Sequence, residues 1–230
     1  MKIFCDSADL KNFFKYKNYN LVKGFTTNPS LMRSSGAKNY KSYALKLIKN
    51  SNSKPISLEV FSDDIDEMYD QALKINTWGK NIYVKIPIIN TKGIYTNKTI
   101  KKLSNKGVKL NITAVYTFKQ VREIIKNINK KSKVIISIFA GRMADQLIDP
   151  IPIFKKTIKL TKKYSNVQIL WASTRETYNF VEAQKIGCDI ITMPPKLIDQ
   201  IRGKKKTQLQ LTQETVKGFY LDSVKSKFKI

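Results

Sequence analysis

Eight short apolar or β-branched runs recur along the chain, each followed by a segment of helix length, and this alternation limits the fold more than any other feature. The strand candidates are Lys2–Cys5, Leu21–Thr26, Ile56–Phe61, Ile82–Ile86, Lys109–Val115, Val134–Phe139, Gln168–Ala172 and Asp189–Met193. Amphipathic stretches lie between them, among them Asn39–Lys49, Ile65–Asn76, Thr117–Asn129, Ile151–Tyr164 and Thr177–Ile186. Asn28-Pro29-Ser30 opens the segment after the second strand, and Gly187 closes the helix before the eighth. Eight βα units in 230 residues fit a single (β/α)8 TIM barrel. A doubly wound open sheet is the alternative, but it needs no eight evenly spaced strands. No linker or low-complexity segment divides the chain, so residues 1–230 read as one barrel domain, with 204–230 as a C-terminal helical extension. Within it, Leu211–Lys227 reads as one or two helices, and the tail Lys225–Ile230 either frays or folds over a barrel mouth.

The sequence contains no histidine, which removes Ser-His-Asp triads, Cys-His pairs, His-type zinc sites and His-held haem. The two cysteines, Cys5 and Cys188, are too few for a disulfide framework or a four-cysteine metal site, and both read as reduced, buried small side chains. Acid–base chemistry therefore falls to Asp, Glu, Lys, Tyr or water. No apolar run approaches the roughly 18 residues of a membrane span. Met1-Lys2-Ile3-Phe4-Cys5-Asp6 reads as a first strand and not as a secretory leader, so the expected location is cytoplasmic.

A net charge of +26 suggests nucleic acid or another anionic surface as a partner. Yet only five of the 43 basic residues are arginines (Arg33, Arg122, Arg142, Arg175 and Arg202), and Ile and Asn rise together with Lys, as a coding bias toward A and T would produce. The lysines are scattered, with Lys204-Lys205-Lys206 as the one compact run. A basic barrel that binds RNA or another polyanion without catalysis stays a rival reading. It predicts steeply salt-dependent binding that Lys85→Ala leaves intact, and the lack of clustered arginine and interleaved aromatics argues against it.

Barrel chemistry sits at the C-terminal ends of the strands. Lys85 stands in the apolar run Ile82-Tyr83-Val84-Lys85-Ile86-Pro87, where a parallel strand is buried on both faces. Burial lowers a lysine's pKa and supplies the neutral amine that attacks carbonyls; a structural ion pair accounts for the position equally well. Glu59 stands on the neighbouring strand, Asp6 ends the first strand, and Asn111 and Thr113 lie two apart on the fifth. Strand parity allows all five to converge inside one barrel mouth. An amine nucleophile flanked by two carboxylates is the minimum set for Schiff-base chemistry. Arg142 and Arg175 follow the sixth and seventh strands; in a chain so biased toward lysine they suggest bidentate capture of a carboxylate or phosphate, with Gly141 allowing close backbone approach.

These motifs together resemble the transaldolase family, in particular its short bacterial branch that also holds the fructose-6-phosphate aldolases. The matching pieces are Asp6 in Phe-Cys-Asp-Ser-Ala-Asp, Gly24-Phe25-Thr26-Thr27-Asn28-Pro29-Ser30, Val84-Lys85-Ile86-Pro87, Asn111-Ile112-Thr113-Ala114-Val115-Tyr116, Ser137 to Arg142, and Ala172-Ser173-Thr174-Arg175. The resemblance implies a class I aldolase-type barrel with no metal or organic cofactor, acting on sugar phosphates and often assembled as a homo-oligomer. It implies Lys85 as the Schiff-base lysine, Asp6 as the acid–base at the C4 hydroxyl, and Glu59 with Thr113 as the pair that positions a water. It further implies Asn28, Asn111 and Ser137 around the dihydroxyacetone unit, and Arg142, Ser173 and Arg175 at the phosphate. Thr26 and Phe139 complete the substrate-binding set. The fructose-6-phosphate aldolases are similar but carry glutamine, threonine and tyrosine where Glu59, Asn111 and Phe139 stand. The resemblance thus favours transfer to an aldose phosphate over release of free dihydroxyacetone, with the aldolase as runner-up. Cys5 and Trp171 are unusual neighbours for Asp6 and Ser173, although parity points Cys5 and Ala172 away from the face of those residues.

Overall fold

The computed structural model describes residues 1–203 and 205–228. Strands β1 (Lys2–Asp6), β2 (Val22–Thr26), β3 (Ile56–Glu59), β4 (Ile82–Pro87), β5 (Leu110–Val115), β6 (Val134–Ile138), β7 (Val167–Trp171) and β8 (Ile190–Met193) pair in parallel in sequence order, and β8 closes on β1. The sheet is a closed barrel, and the open-sheet alternative is excluded. Helix α1 (Leu10–Tyr16) follows β1; α2 (Pro29–Ser34) and α3 (Tyr40–Asn50) follow β2; α4 (Ile65–Asn76), α5 (Asn97–Asn105) and α6 (Phe118–Asn127) follow the next three strands. After β6 come α7 (Ala140–Ala144) and α8 (Ile151–Thr161), after β7 α9 (Tyr178–Lys185), and after β8 α10 (Pro195–Arg202) and α11 (Gln208–Ser226).

The helix starts are written in the sequence. Asp64 caps α4 by accepting the backbone N–H groups of Asp66 and Glu67, both at 2.9 Å, and Thr117 with Gln120 forms a reciprocal capping box on α6. Asn28 caps α2 through its Oδ1, which accepts Leu31 N–H at 2.8 Å, with Pro29 at the first helical position. Each cap satisfies donors that a helix start leaves open, and it fixes where the chain turns away from a strand end.

Register then decides which side chains share the interior. Along the pairing, Phe4 meets Gly24, Asp6 meets Thr26, Thr26 meets Ser57, Ser57 meets Tyr83, Glu59 meets Lys85, Lys85 meets Asn111, Asn111 meets Ile135, and Leu170 meets both Ser137 and Ile190. Phe4, Tyr83, Ile135, Leu170, Ala172 and Ile190 pack as an apolar plug inside the barrel. Gly24 makes room for it, since a Cβ there would stand 2.6 Å from the Phe4 ring. The alternate residues face the helices: Phe25 stacks on Phe13 of α1 at 4.0 Å, and Trp171 stacks on Phe154 of α8 at 4.7 Å. Cys5 and Cys188 are both buried as thiols, and burial pushes Cys188 up to about 12.

The chain divides into a compact unit over Met1–Ile198, which holds the barrel, and a second over Asp199–Ile230, which holds α11. Lys204, Lys229 and Ile230 lie outside the described residues, and with them one member of the lysine run and the end of the tail. The C-terminal stretch expected as one or two helices is a single helix, capped by Thr207 with Gln210. None of its residues is buried, and Leu209, Val216, Phe219 and Tyr220 are each more than half exposed. No helix among the described residues is long and apolar enough to cross a membrane.

Candidate active site

Above the apolar plug, at the C-terminal ends of the strands, lies a pocket of about 250 Å³. Its wall includes Asp6, Thr26, Asn28, Lys85, Asn111, Thr113, Ser137, Phe139, Arg142, Ser173 and Arg175, which is every expected site residue except Glu59. Glu59 is reached through Lys85, whose Nζ donates to Glu59 Oε2 at 2.9 Å and to the Thr27 carbonyl at 3.3 Å. Lys85 is only 8% exposed, and it lines the pocket. The Glu59 backbone is itself fixed by Tyr40, whose hydroxyl donates to its carbonyl oxygen at 2.7 Å.

Across the mouth, Asp6 accepts the Thr26 hydroxyl at 2.7 Å. Burial raises its pKa above the usual carboxylate value; the Thr26 hydrogen bond and Lys85 pull the other way, and Glu59 adds a smaller upward push. Thr26 also shares a 2.5 Å hydrogen bond with Thr192 Oγ1, and the Thr192 carbonyl accepts the Thr174 hydroxyl at 2.6 Å. On the third side, Asn111 donates to Ser57 Oγ at 2.9 Å and accepts the Ser137 hydroxyl at 2.6 Å. The Thr113 hydroxyl is buried with no hydrogen-bond partner among the described residues. A buried polar group of this kind costs free energy until a water or ligand satisfies it.

The rim after β6 and β7 is drawn together at Gly141. A Cβ on that residue would stand 1.6 Å from the Ser173 carbonyl oxygen, so glycine alone lets the two chain segments touch. That contact brings Arg142 and Arg175 to one rim. Arg142 lies over the Phe139 ring at 5.6 Å, and Arg175 is paired with Asp145 through Nη2 at 2.5 Å and Nε at 3.1 Å. The Arg175 pair holds the Asp145 carboxyl below its ordinary value.

The chain has counterparts among known proteins. The model of the Transaldolase/Fructose-6-phosphate aldolase family matches residues 3–229. The chain belongs to this family. Curated relatives agree. A "Probable transaldolase" of Nitrosopumilus maritimus is 34% identical over 231 residues, covering 99% of this chain and 96% of the relative. Others bearing that name, from Thermoplasma volcanium and Caldicellulosiruptor saccharolyticus, are 32% and 29% identical and cover 93% and 96% of this chain, and the same shares of their own lengths. Among solved structures, the chain is similar in fold to thiamine phosphate pyrophosphorylase from Pyrococcus furiosus, with TM-score 0.57 at 10% identity, covering 84% of this chain and 85% of that one. It also resembles a mutant (S)-mandelate dehydrogenase, with TM-score 0.55 at 10% identity, covering 84% and 67%. At such identities the likeness is one of fold alone.

Within this transaldolase-family barrel, two features depart from the sequence reading. Ala172 was expected to point away from the pocket but lines it. Leu170 and Ala172 both face inward on either side of the outward Trp171, whereas Ser173, with φ +63°, leaves the alternation and lines the pocket beside Ala172, so parity counted back from Ser173 gives Ala172 the wrong face. Thr192, which shares a hydrogen bond with Thr26, and Thr174, which donates to the Thr192 carbonyl, line the same pocket and were missed. Thr192 carried a legible signal, since it is the polar member of Ile190-Ile191-Thr192-Met193 at an inward position.

Proposed function

We propose that this family member is a transaldolase that moves a dihydroxyacetone unit from a ketose phosphate (fructose 6-phosphate or sedoheptulose 7-phosphate) to an aldose phosphate through a Schiff base on Lys85. The observation that carries the reading is the buried Lys85, which lines the pocket with Glu59 Oε2 at 2.9 Å from its amine and Asp6 on the facing wall. Once Glu59 has taken its proton, the Lys85 amine bonds to C2 of the ketose, and the carbonyl oxygen leaves as water after taking up protons. Glu59 and the unpartnered Thr113 hydroxyl hold the water formed and consumed in that exchange. Asp6 then takes the C4 hydroxyl proton as the C3–C4 bond breaks, the bonding pair passes into the lysine-bound enamine, and the shortened aldose departs. When the acceptor aldehyde arrives, C3 attacks its carbonyl carbon and Asp6 returns a proton to the new hydroxyl. Burial suits Asp6 to both tasks, because a raised pKa keeps proton return accessible nearer neutrality.

Asn28, Asn111 and Ser137 are assigned to the three-carbon unit, with Thr26 holding Asp6. The two arginines and Ser173 are assigned to the phosphate, for which a guanidinium fork is suited. Phe139 supports transfer over simple cleavage: its ring on the pocket wall offers no proton to the waiting enamine. The exposed apolar side chains of α11 support a homo-oligomer, and 204–230 is assigned as the extension of the barrel domain. We place the protein in the cytoplasm, in the non-oxidative pentose phosphate route. The test is acceptor dependence: glyceraldehyde 3-phosphate should appear from fructose 6-phosphate only when erythrose 4-phosphate is present. Rapid release without acceptor makes the protein a fructose-6-phosphate aldolase instead.

A further inference from the structure

At the opposite, N-terminal end of the barrel lies a second cavity, of about 700 Å³. It is walled by the residues that lead into β3, β4, β5 and β6, together with the end of α3. Four lysines line it, Lys49, Lys80, Lys109 and Lys133, and no Asp or Glu does. Three of them are exposed, while Lys109 is half-buried with its ammonium held on the Lys80 carbonyl oxygen at 2.6 Å. A second observation is independent of charge. Tyr83 lines the same cavity, its residue is only 8% exposed, and its hydroxyl makes no hydrogen bond among the described residues. Burial raises the phenol's pKa, so it stays a neutral donor. The ring is anchored in the apolar plug, which fixes the hydroxyl where it stands.

We propose that this N-terminal mouth is a binding site for a small anion carrying two or more phosphate groups. Four ammonium groups without a carboxylate repel one another, and a multivalent anion relieves that repulsion while several single chlorides lose more freedom in doing so. The cavity falls within the range of small-molecule sites, and the tyrosine at its wall supplies the fixed polar contact that a solvated lysine surface lacks. A concave site under one phenol fits a compact oligophosphate better than an extended nucleic-acid strand, for which stacking aromatics would be expected. The site is separate from the sugar-phosphate pocket and does not depend on its chemistry.

The test is calorimetric titration of the whole protein with inorganic tripolyphosphate. We expect one site whose affinity falls at least tenfold in the triple variant Lys49→Gln/Lys80→Gln/Lys133→Gln, which spares the structural contact of Lys109. Tyr83→Phe, with unchanged charge, should weaken binding about 3- to 10-fold, as loss of one hydrogen bond would. A control triple at exposed positions elsewhere, Lys11→Gln/Lys41→Gln/Lys155→Gln, should leave the affinity unchanged, as should Arg142→Ala/Arg175→Ala. Equal weakening by both lysine triples would mark attraction to the overall charge and overturn the proposal. So would binding lost only with the two arginines, no binding at millimolar tripolyphosphate, or a Tyr83→Phe variant that binds like the wild type.

Discussion

Two partly sheltered lysines sit at opposite ends of this barrel, and their surroundings separate chemistry from architecture. Lys54, just before β3, donates to the carbonyl oxygens of Tyr16, Tyr19 and Val22 at 2.9, 2.9 and 2.7 Å. Burial, and next the Lys23 ammonium, lower its pKa. All three of its protons are committed to carbonyls between the end of α1 and the start of β2, and no cavity among those described opens onto it. Lys85 has two partners, one of them the Glu59 carboxylate that can take its proton, and it opens onto a pocket. Shelter alone therefore does not make a lysine a nucleophile. A proton acceptor and an open approach to the nitrogen do.

The comparison breaks most sharply by exchange. Lys85→Ala should lower transaldolase activity by roughly 10³-fold or more while the protein keeps its fold, as expected for loss of a covalent nucleophile. Lys54→Met should leave kcat within a few-fold of wild type and instead cost about 1–3 kcal/mol in denaturant unfolding, because three carbonyl oxygens lose their donor. The reverse pattern would invert the assignment.

Asp6 gives the next largest effect and carries two signs. Asp6→Asn should lower kcat about 10²- to 10³-fold, in the range of a lost general acid–base. It should also raise Tm at neutral pH. The folded pKa of Asp6 lies above its unfolded value, so the favourable contribution of the neutral carboxyl is present below the unfolded pKa and is lost as pH rises through the folded one. Asparagine removes that loss, and its advantage should close as the pH falls toward about 4, the unfolded value. Thermal melts from acid to neutral pH check this.

The smallest effect sharpens the claim about the pocket wall. Phe139→Tyr should raise acceptor-independent release of dihydroxyacetone several-fold with little change in KM. An unchanged ratio of release to transfer would show that this ring does not govern the fate of the enamine.

Much of this site was legible because a parallel barrel enforces parity. Asp6, Lys85, Asn111 and Thr113 could be placed in one mouth from strand alternation, and neighbouring strands match them residue for residue. Parity failed at Ser173, where a positive φ breaks the alternation, so that Ser173 and its inward neighbour Ala172 both line the pocket. Glu59 sits behind the lysine and not on the wall, a distinction of depth that alternation does not encode. The N-terminal cavity was invisible for another reason. Lys80, Lys109 and Lys133 are far apart in a chain full of lysines, and only barrel closure shows that each enters a successive strand at the same mouth.

The central claim is that Lys85 is the covalent nucleophile, and borohydride trapping with fructose 6-phosphate followed by peptide mass mapping tests it most directly. The account predicts a reduced three-carbon adduct on Lys85 and none on Lys54. A folded protein that yields no adduct on Lys85, or carries it on another lysine, would contradict it.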